Sequence, residues 1–507
     1  VADAHPPRSF RQSLLAMLGI SLVLMLSALD QTVVGNALPS IVADLHGFAL
    51  YAWVATGYLL ASVVTIPIFG RLGDYYGRKP FVLAATAVFT LASAGCALTG
   101  SMPGLVVARV LQGIGGGMLV GTAFACVPEL FPDTRQRLRW QMLLSVAFSV
   151  VNAVGPLLGG MLTQYAGWRS VFWLNLPLGL LAWCCVWRYL PWFKVRHEQP
   201  VRLDWLGALL IVATLGALQW LVEWLPRPDS LLPKIVLALV GLAALALLRW
   251  QQPRVSHPLL PPALFADGSL RGLFLLSVLA GAIMFALLFY MPLLFQAGYG
   301  YSLKDASLLI TPLALCITLG AILNGRIVAR LRDPGRLPMA GFGLLLLATL
   351  GIAICGRHAT FALLFTLMFG AGLGLGLILM NLTLFTQTVA SRQHLGIATA
   401  LLQSLRLVGG MLGTALVGML VSWWYRRQMR PLVQQHDGVP GAADLLDPQW
   451  LLTPMKLSTG ASGHFPGALE AARAAMIQAV DIASGVLALL AALALWQVAR
   501  LPRIALR

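Results

Sequence analysis

Apolar runs of about 20 residues, each long enough to cross a bilayer, alternate along the chain with short polar stretches. A helix on a soluble core carries one apolar stripe, whereas these runs are apolar all round, as helices are when their solvent is lipid. The pattern predicts spans at 14–36, 49–69, 81–99, 104–126, 141–163, 170–190, 205–225, 233–249, 272–295, 307–328, 337–356, 360–386, 396–423 and 476–499. Pro226, Pro228 and Pro233 crowd the junction of the seventh and eighth. The first run opens at Leu14 after Arg8 and Arg11 and is too long for the core of a cleaved leader, so it reads as a spanning helix.

The basic residues orient these spans, because cytoplasmic loops of membrane proteins are enriched in Lys and Arg. With the N-terminus in the cytoplasm, the inside segments carry Arg71, Arg78 and Lys79, then Arg135, Arg137 and Arg139, then Arg188, Lys194, Arg196 and Arg202, and similar clusters onward to Arg500, Arg503 and Arg507. The outside segments carry roughly half as many, a good part of them in one long stretch where the rule is weak. An even number of spans with both termini cytoplasmic follows. Two longer connections stand out: the basic stretch 188–204, and residues 424–475, whose composition predicts a loop with a short amphipathic helix near 468–475.

Composition narrows the class. Hydrophobic types make up 59% and charged types 10% of 507 residues, against roughly a quarter charged in soluble domains. The net charge of +17 does not mark a nucleic-acid binder, because it is distributed as small clusters between spans. Cys96, Cys126, Cys184, Cys185, Cys316 and Cys355 all lie in or beside apolar runs and form no CxxC pair, so they read as small packing residues. The histidines fall in tails and loops without metal-ligand spacing. No phosphate loop for ATP occurs, and no stretch between spans is large enough for a soluble catalytic domain. The chain is expected to be no enzyme and to need no cofactor, with the lipid bilayer as its partner.

Two turns, 70–79 and 325–336, are short, basic and begin with Gly. If spans seven and eight are an insertion, these turns occupy matching places in two six-helix halves, a common plan of transporters. The first, Gly70-Arg-Leu-Gly-Asp-Tyr-Tyr-Gly-Arg-Lys79, resembles a signature of the major facilitator superfamily through Gly70, Leu72, Gly73, Asp74, Gly77, Arg78 and Lys79. Arg109-Val-Leu-Gln-Gly-Ile-Gly-Gly-Gly117 in span four resembles that superfamily's R-x-x-Q-G-x-G element, and Gly155-Pro-Leu-Leu-Gly-Gly160 in span five its antiporter motif. Leu29-Asp-Gln-Thr-Val-Val-Gly-Asn-Ala-Leu-Pro39 and Trp168-Arg-Ser-Val-Phe-Trp-Leu-Asn-Leu-Pro-Leu-Gly179 resemble elements of its fourteen-helix drug:proton antiporters, the EmrB/QacA type. Gly35 stands where that branch often has Asn, with Asn36 one place later.

The resemblance implies an all-α polytopic membrane protein with a major-facilitator fold: a six-helix bundle in 1–190, a linker with two extra transmembrane helices in 191–270, and a second six-helix bundle in 271–507 with an extracytoplasmic loop at 424–475. It implies an inner-membrane, multi-pass efflux pump, with a periplasmic adaptor and an outer-membrane channel as possible partners.

The residues suggest how such a pump would work. Asp30 lies deep in span one, where an ionised carboxylate costs several kcal/mol unless it faces a cavity, pairs with a cation or binds a proton. A carboxyl poised between those alternatives can load and release a proton, and Arg109 is the natural partner because it stays charged. The resemblance likewise makes Asp30 a proton-coupling site. Arg406 is the corresponding cation of the second half, with structural and functional roles both open. Gly155, Pro156, Gly159 and Gly160 allow close helix approach and a bend, which the resemblance reads as a seal against leak. Gly70, Asp74, Gly77 and Arg78 read as a cytoplasmic gate, since topology alone does not call for Asp74. Candidate substrate contacts are Gln31, Tyr58, Gln112, Asn152, Phe285, Phe289, Tyr290, Gln296, Asn381 and Gln403, with Arg406. The expected activity is proton-driven export of amphipathic drugs or toxic small molecules. The alternatives are a substrate-specific exporter of a siderophore, amino acid or metabolite, an uptake symporter, and a non-transporting membrane sensor.

Overall fold

A computed structural model describes residues 10–130, 140, 150–151, 154–191, 204–225, 231–255, 258–328, 331, 333–390, 395–435, 445–452 and 467–501. Its helices are α1 (Phe10–Leu45), α2 (Tyr51–Tyr76), α3 (Arg78–Leu98), α4 (Met102–Leu130), α5 (154–166), α6 (Arg169–Tyr189, broken by one turn at Leu174), α7 (Trp205–Trp224), α8 (Leu231–Gln251), α9 (Gly268–Leu293), α10 (Leu303–Ile327), α11 (Arg336–Cys355), α12 (Phe361–Val389), α13 (Leu395–Gln435) and α14 (Ala468–Arg500). Thirteen of them, all but α5, are long and apolar enough to cross a membrane among the described residues. The fifth predicted span, 141–163, falls largely outside those residues, as do Asn152 and most of the basic stretch 188–204.

Local chemistry sets the breaks between helices. Asp204, Asp267, Ser302 and Thr360 cap α7, α9, α10 and α12 by accepting backbone N–H groups of the first turn. Gly77 separates α2 from α3 in one residue, at a φ of 84° that disfavours any side chain. Successive helices run in opposite directions, so the bundle has a near end, where α1 begins, and a far end, where α1 stops. Lys79 at the start of α3 donates to the Trp187 carbonyl at the end of α6 on the near side (2.7 Å), and Arg169 pairs with Asp44 on the far side (2.9 Å).

Helices α1 to α4 and α6 pack among themselves, and α9 to α14 form a second group. The seam between the groups is made by α2 against α13 and α1 against α9. α7 and α8 pack on each other, and α7 also touches α2 and α13. The α7–α8 pair is tied at the near end by buried Asp204, whose carboxylate accepts from the amides of Gln251 (2.6 Å) and Gln252 (2.7 Å).

Several helices outrun their predicted spans, α1 and α13 furthest. α1 has 36 residues and α13 has 41. Residues 424–435, predicted as the start of a loop, are the last three turns of α13. Arg426, Arg427 and Arg430 end the apolar run without ending the helix, because hydropathy reports the solvent and not the backbone hydrogen bonds. The predicted short helix near 468–475 is the opening of α14. Between them, residues 445–452 fold back onto the helices: the Tyr425 hydroxyl donates to the Leu445 carbonyl (3.2 Å), and the Trp450 indole N–H donates to the Tyr425 oxygen (2.8 Å). Residues 436–444 and 453–466 lie outside the described part.

Candidate functional site

Asp30 lies about 20 Å from the far end of α1 at 1.5 Å per residue and is 1% exposed. The Arg109 guanidinium meets it, with Nη1 donating to Oδ2 at 2.6 Å. Gln112, one turn along α4, binds both partners: its amide nitrogen donates to Asp30 Oδ1 at 2.8 Å, and its oxygen accepts from Arg109 Nη1 at 2.7 Å. Asn175 of α6 donates to the same Asp30 oxygen at 3.3 Å and to Ser93 at 3.1 Å. Arg109 Nε donates to the Val54 carbonyl (3.2 Å), and the guanidinium carbon sits 4.6 Å from the centre of the Tyr58 ring. Five helices thus contribute to one buried network, and two of them, α4 and α6, reach the α1 carboxylate directly.

Buried charges are tolerated when paired and when their remaining donors and acceptors are met. Here hydrogen bonds from three side chains reach the carboxylate, while Arg109 also binds a carbonyl and an aromatic face. The same contacts make the site responsive. A proton on Asp30 would cancel the charge that Arg109 neutralises, leaving a buried guanidinium with reduced compensation.

Sequence places Arg109 and Gln112 at i and i+3, one face of a helix, but what presents that face is the glycine run after them. A β-carbon on Gly113 would stand 2.8 Å from Tyr58 Cα, and one on Gly117 would stand 2.8 Å from the Ser62 carbonyl. The bare surface of α4 therefore lets the α2 backbone approach and lays Val54 and Tyr58 against Arg109. Tyr58 and Gln112, considered as substrate contacts, serve the ion pair in this structure. Asn175 was missed as a site residue, although it is the Asn of the Trp168–Gly179 element.

The Gly155–Gly160 motif packs in two directions. β-Carbons on Gly155 and Gly159 would meet Thr32 Cβ (2.9 Å) and Val33 Cα (2.9 Å) of α1, two and three residues beyond Asp30. One on Gly160 would stand 2.6 Å from Ser307 Cβ of α10, across the seam. Asn36 has a defined partner: its amide donates to the Pro156 carbonyl at 2.7 Å. This carbonyl is therefore satisfied from outside its own helix.

Further contacts join the two groups on the far side. The Tyr51 hydroxyl donates to the Phe289 carbonyl at 2.7 Å, and the Tyr51 and Tyr290 rings lie 5.3 Å apart. A β-carbon on Gly35 would stand 3.1 Å from the Leu288 carbonyl. Phe285 and Phe289 stack on each other (6.2 Å) and are buried, whereas Tyr290 borders a cavity of about 360 Å³ at the far end.

The remaining candidates are dispersed. Gln31 adjoins Asp30 on α1 and is partly exposed. Asn381 donates to Asn324 (2.6 Å) and to its own helix, as a packing amide does. Gln296 lies in a π turn that continues α9, and Gln403 is partly exposed on α13. Arg406 does not reach Asp30; its Nε is buried without a hydrogen-bond partner among the described residues, and its carbonyl carbon lies 2.8 Å from where a Gly281 β-carbon would be. At the near-end turn, Gly70 packs toward the Gly121 carbonyl, and the stem of Arg78 lies against Gly73. The Asp74 side chain is outside the described residues.

Comparison with known proteins agrees with the fold. The chain is 30% identical over 418 residues to the multidrug transporter protein MdtP of Bacillus subtilis (strain 168), covering 80% of this chain and 75% of the relative. It is 31% identical over 420 residues to the tetracenomycin C resistance and export protein of Streptomyces glaucescens, with the same coverage. Among solved structures, a bacterial homolog of the human lysosomal transporter Spinster, in an inward-facing and unoccupied conformation, superposes with a TM-score of 0.69 at 16% identity over 97% of this chain and 98% of that one. Residues 20–414 match the Major Facilitator Superfamily, and the chain is a multi-pass membrane transporter of that family.

Proposed function

We propose that the protein is a proton-coupled antiporter that exports amphipathic drugs or other toxic small molecules across the inner membrane by alternating access. The observation that carries this reading is the buried Asp30–Arg109–Gln112 network between two spanning helices. An ionisable residue placed inside a span is costly and is by default a functional candidate, and protonation of this one would change the charge balance that holds Arg109. The names of relatives, a multidrug transporter and an antibiotic export protein, support export of drug-like compounds.

In this reading the chain has fourteen spans: six in 1–190, two in 191–270 and six in 271–507. The near end is cytoplasmic, with both termini there. Tyr51–Phe289 and Gly160–Ser307 close the far end across the seam. A proton arriving from outside neutralises Asp30, releases Arg109 from α1 and shifts the balance between the two closures. Loss of that proton to the cytoplasm restores the pair and resets the pump. The near-end turn, Gly70 to Arg78, acts as the opposite gate.

The test is transport in proteoliposomes with an imposed pH gradient, comparing wild type with Asp30→Asn. Gradient-driven accumulation of a dye should occur in wild type and vanish in the variant; accumulation that survives the substitution would falsify the coupling role. A second reading, a substrate-specific exporter, is favoured by the likeness to a protein named for export of a single antibiotic. A resistance panel on a deletion strain separates one substrate from many.

A further inference from the structure

We propose that the far-end cavity between α2, α7, α9 and α13 binds an amphipathic organic anion with an aromatic body, and that the occupant holds the far end shut. The cavity measures about 360 Å³, within the range of sites for small organic molecules. Tyr51, Tyr290 and Trp423 provide aromatic wall. Charge is supplied by α13, where Arg426, Arg427 and Arg430 follow one another on the lining, against the single carboxylate of Glu223. That carboxylate accepts from the Trp53 indole N–H of α2, and the three guanidiniums outnumber it, so the net charge facing a ligand is positive.

Gln219 distinguishes a built site from a packing gap. It borders the cavity and is 1% exposed, yet neither atom of its amide has a hydrogen-bond partner among the described residues. A buried amide is normally satisfied. An occupant with a carboxylate or sulfonate would take the amide N–H, while its ring would lie against the tyrosines and its charge would face the arginines. Glu223 and Gln219 sit at i and i+4 on α7, which gives that helix a direct part in the site.

The walls come from both sides of the seam: Tyr51 from α2, Tyr290 from α9, and Trp423 and the arginines from α13. Opening the far end would separate them. A ligand that binds one state better than the other shifts the equilibrium toward it, so an occupant favours the closed far end and slows turnover. This consequence rests on the alternating-access reading; binding itself does not.

The experiment uses the full chain in nanodiscs of neutral lipid and measures binding of 1-naphthoate and of its uncharged counterpart 1-naphthamide by equilibrium dialysis. Wild type should bind naphthoate at least tenfold more tightly. The double variant Arg426→Gln/Arg430→Gln, whose substitutions are at exposed positions, should lose that preference, and Gln219→Leu should weaken naphthoate several-fold. Binding is measured with no pH gradient imposed, so its failure leaves the proton-coupling reading standing, and failure of gradient-driven transport leaves this site standing. Equal binding of the two probes to wild type, or an undiminished preference in the arginine variant, overturns the proposal. Repeating the assay with phosphatidylglycerol in the nanodisc identifies the source of the anion: competition points to a lipid headgroup, its absence to a dissolved solute, and either result is compatible only with an anion site.

Discussion

Asp30→Asn removes one charge from a pair that is 0–1% exposed. The amide that replaces the carboxylate keeps one acceptor oxygen where three donors now converge, and its own NH2 must face at least one of Arg109, Gln112 or Asn175. Breaking a buried pair by removing one partner costs about 3–5 kcal/mol, because the other charge stays behind. That is a large fraction of the ~5–15 kcal/mol that holds a typical domain together. Loss of transport by the single variant alone would therefore not separate coupling from unfolding. The double variant Asp30→Asn/Arg109→Gln removes both charges and should recover most of the lost stability, since neutral replacement of a whole buried pair is often close to neutral. It should not recover gradient-driven transport. The assay is thermal unfolding in detergent beside pH-gradient-driven dye accumulation in proteoliposomes. A double variant that regains both stability and accumulation would refute the reasoning, because the pair would then be a structural clip and nothing more.

Gly160→Ala should sharply reduce transport with little loss of folded protein, because its β-carbon meets Ser307 across the seam and not within its own packing group; adding Ser307→Gly should restore it, and full transport by Gly160→Ala would remove the far-end closure from the mechanism. Asn36→Ala should lower stability by about 0.5–1.5 kcal/mol, the usual net worth of one hydrogen bond, read as a downward shift in melting temperature; no shift would mean the Pro156 carbonyl finds another donor. Ser101→Cys, exposed between α3 and α4, should react with a membrane-impermeant maleimide in intact spheroplasts on a background lacking the native cysteines. Labelling only after permeabilisation would reverse the proposed orientation.

Hydropathy was enough to find the helices that cross the membrane among the described residues, because lipid imposes the same demand on each helix separately: an apolar surface and internally satisfied backbone. Motif spacing was enough to bring Asp30 and Arg109 forward, since an ionisable residue in a span stands out against an apolar run. What surrounds them was decided by tertiary structure. Gln112 and Tyr58 looked like substrate contacts, and Asn175 like part of a sequence element; only helix packing made them partners of one ion pair, through glycines whose effect depends on which backbone approaches them. Burial was equally hidden. α9 and α8 have equal mean hydropathy, yet 83% of the apolar window of α9 is buried against 11% for α8. Lipid and protein interior are both apolar, so sequence cannot say which of them a helix faces. The same limit concealed the far-end cavity, whose aromatic, amide and cationic walls come from four helices that only the fold brings together.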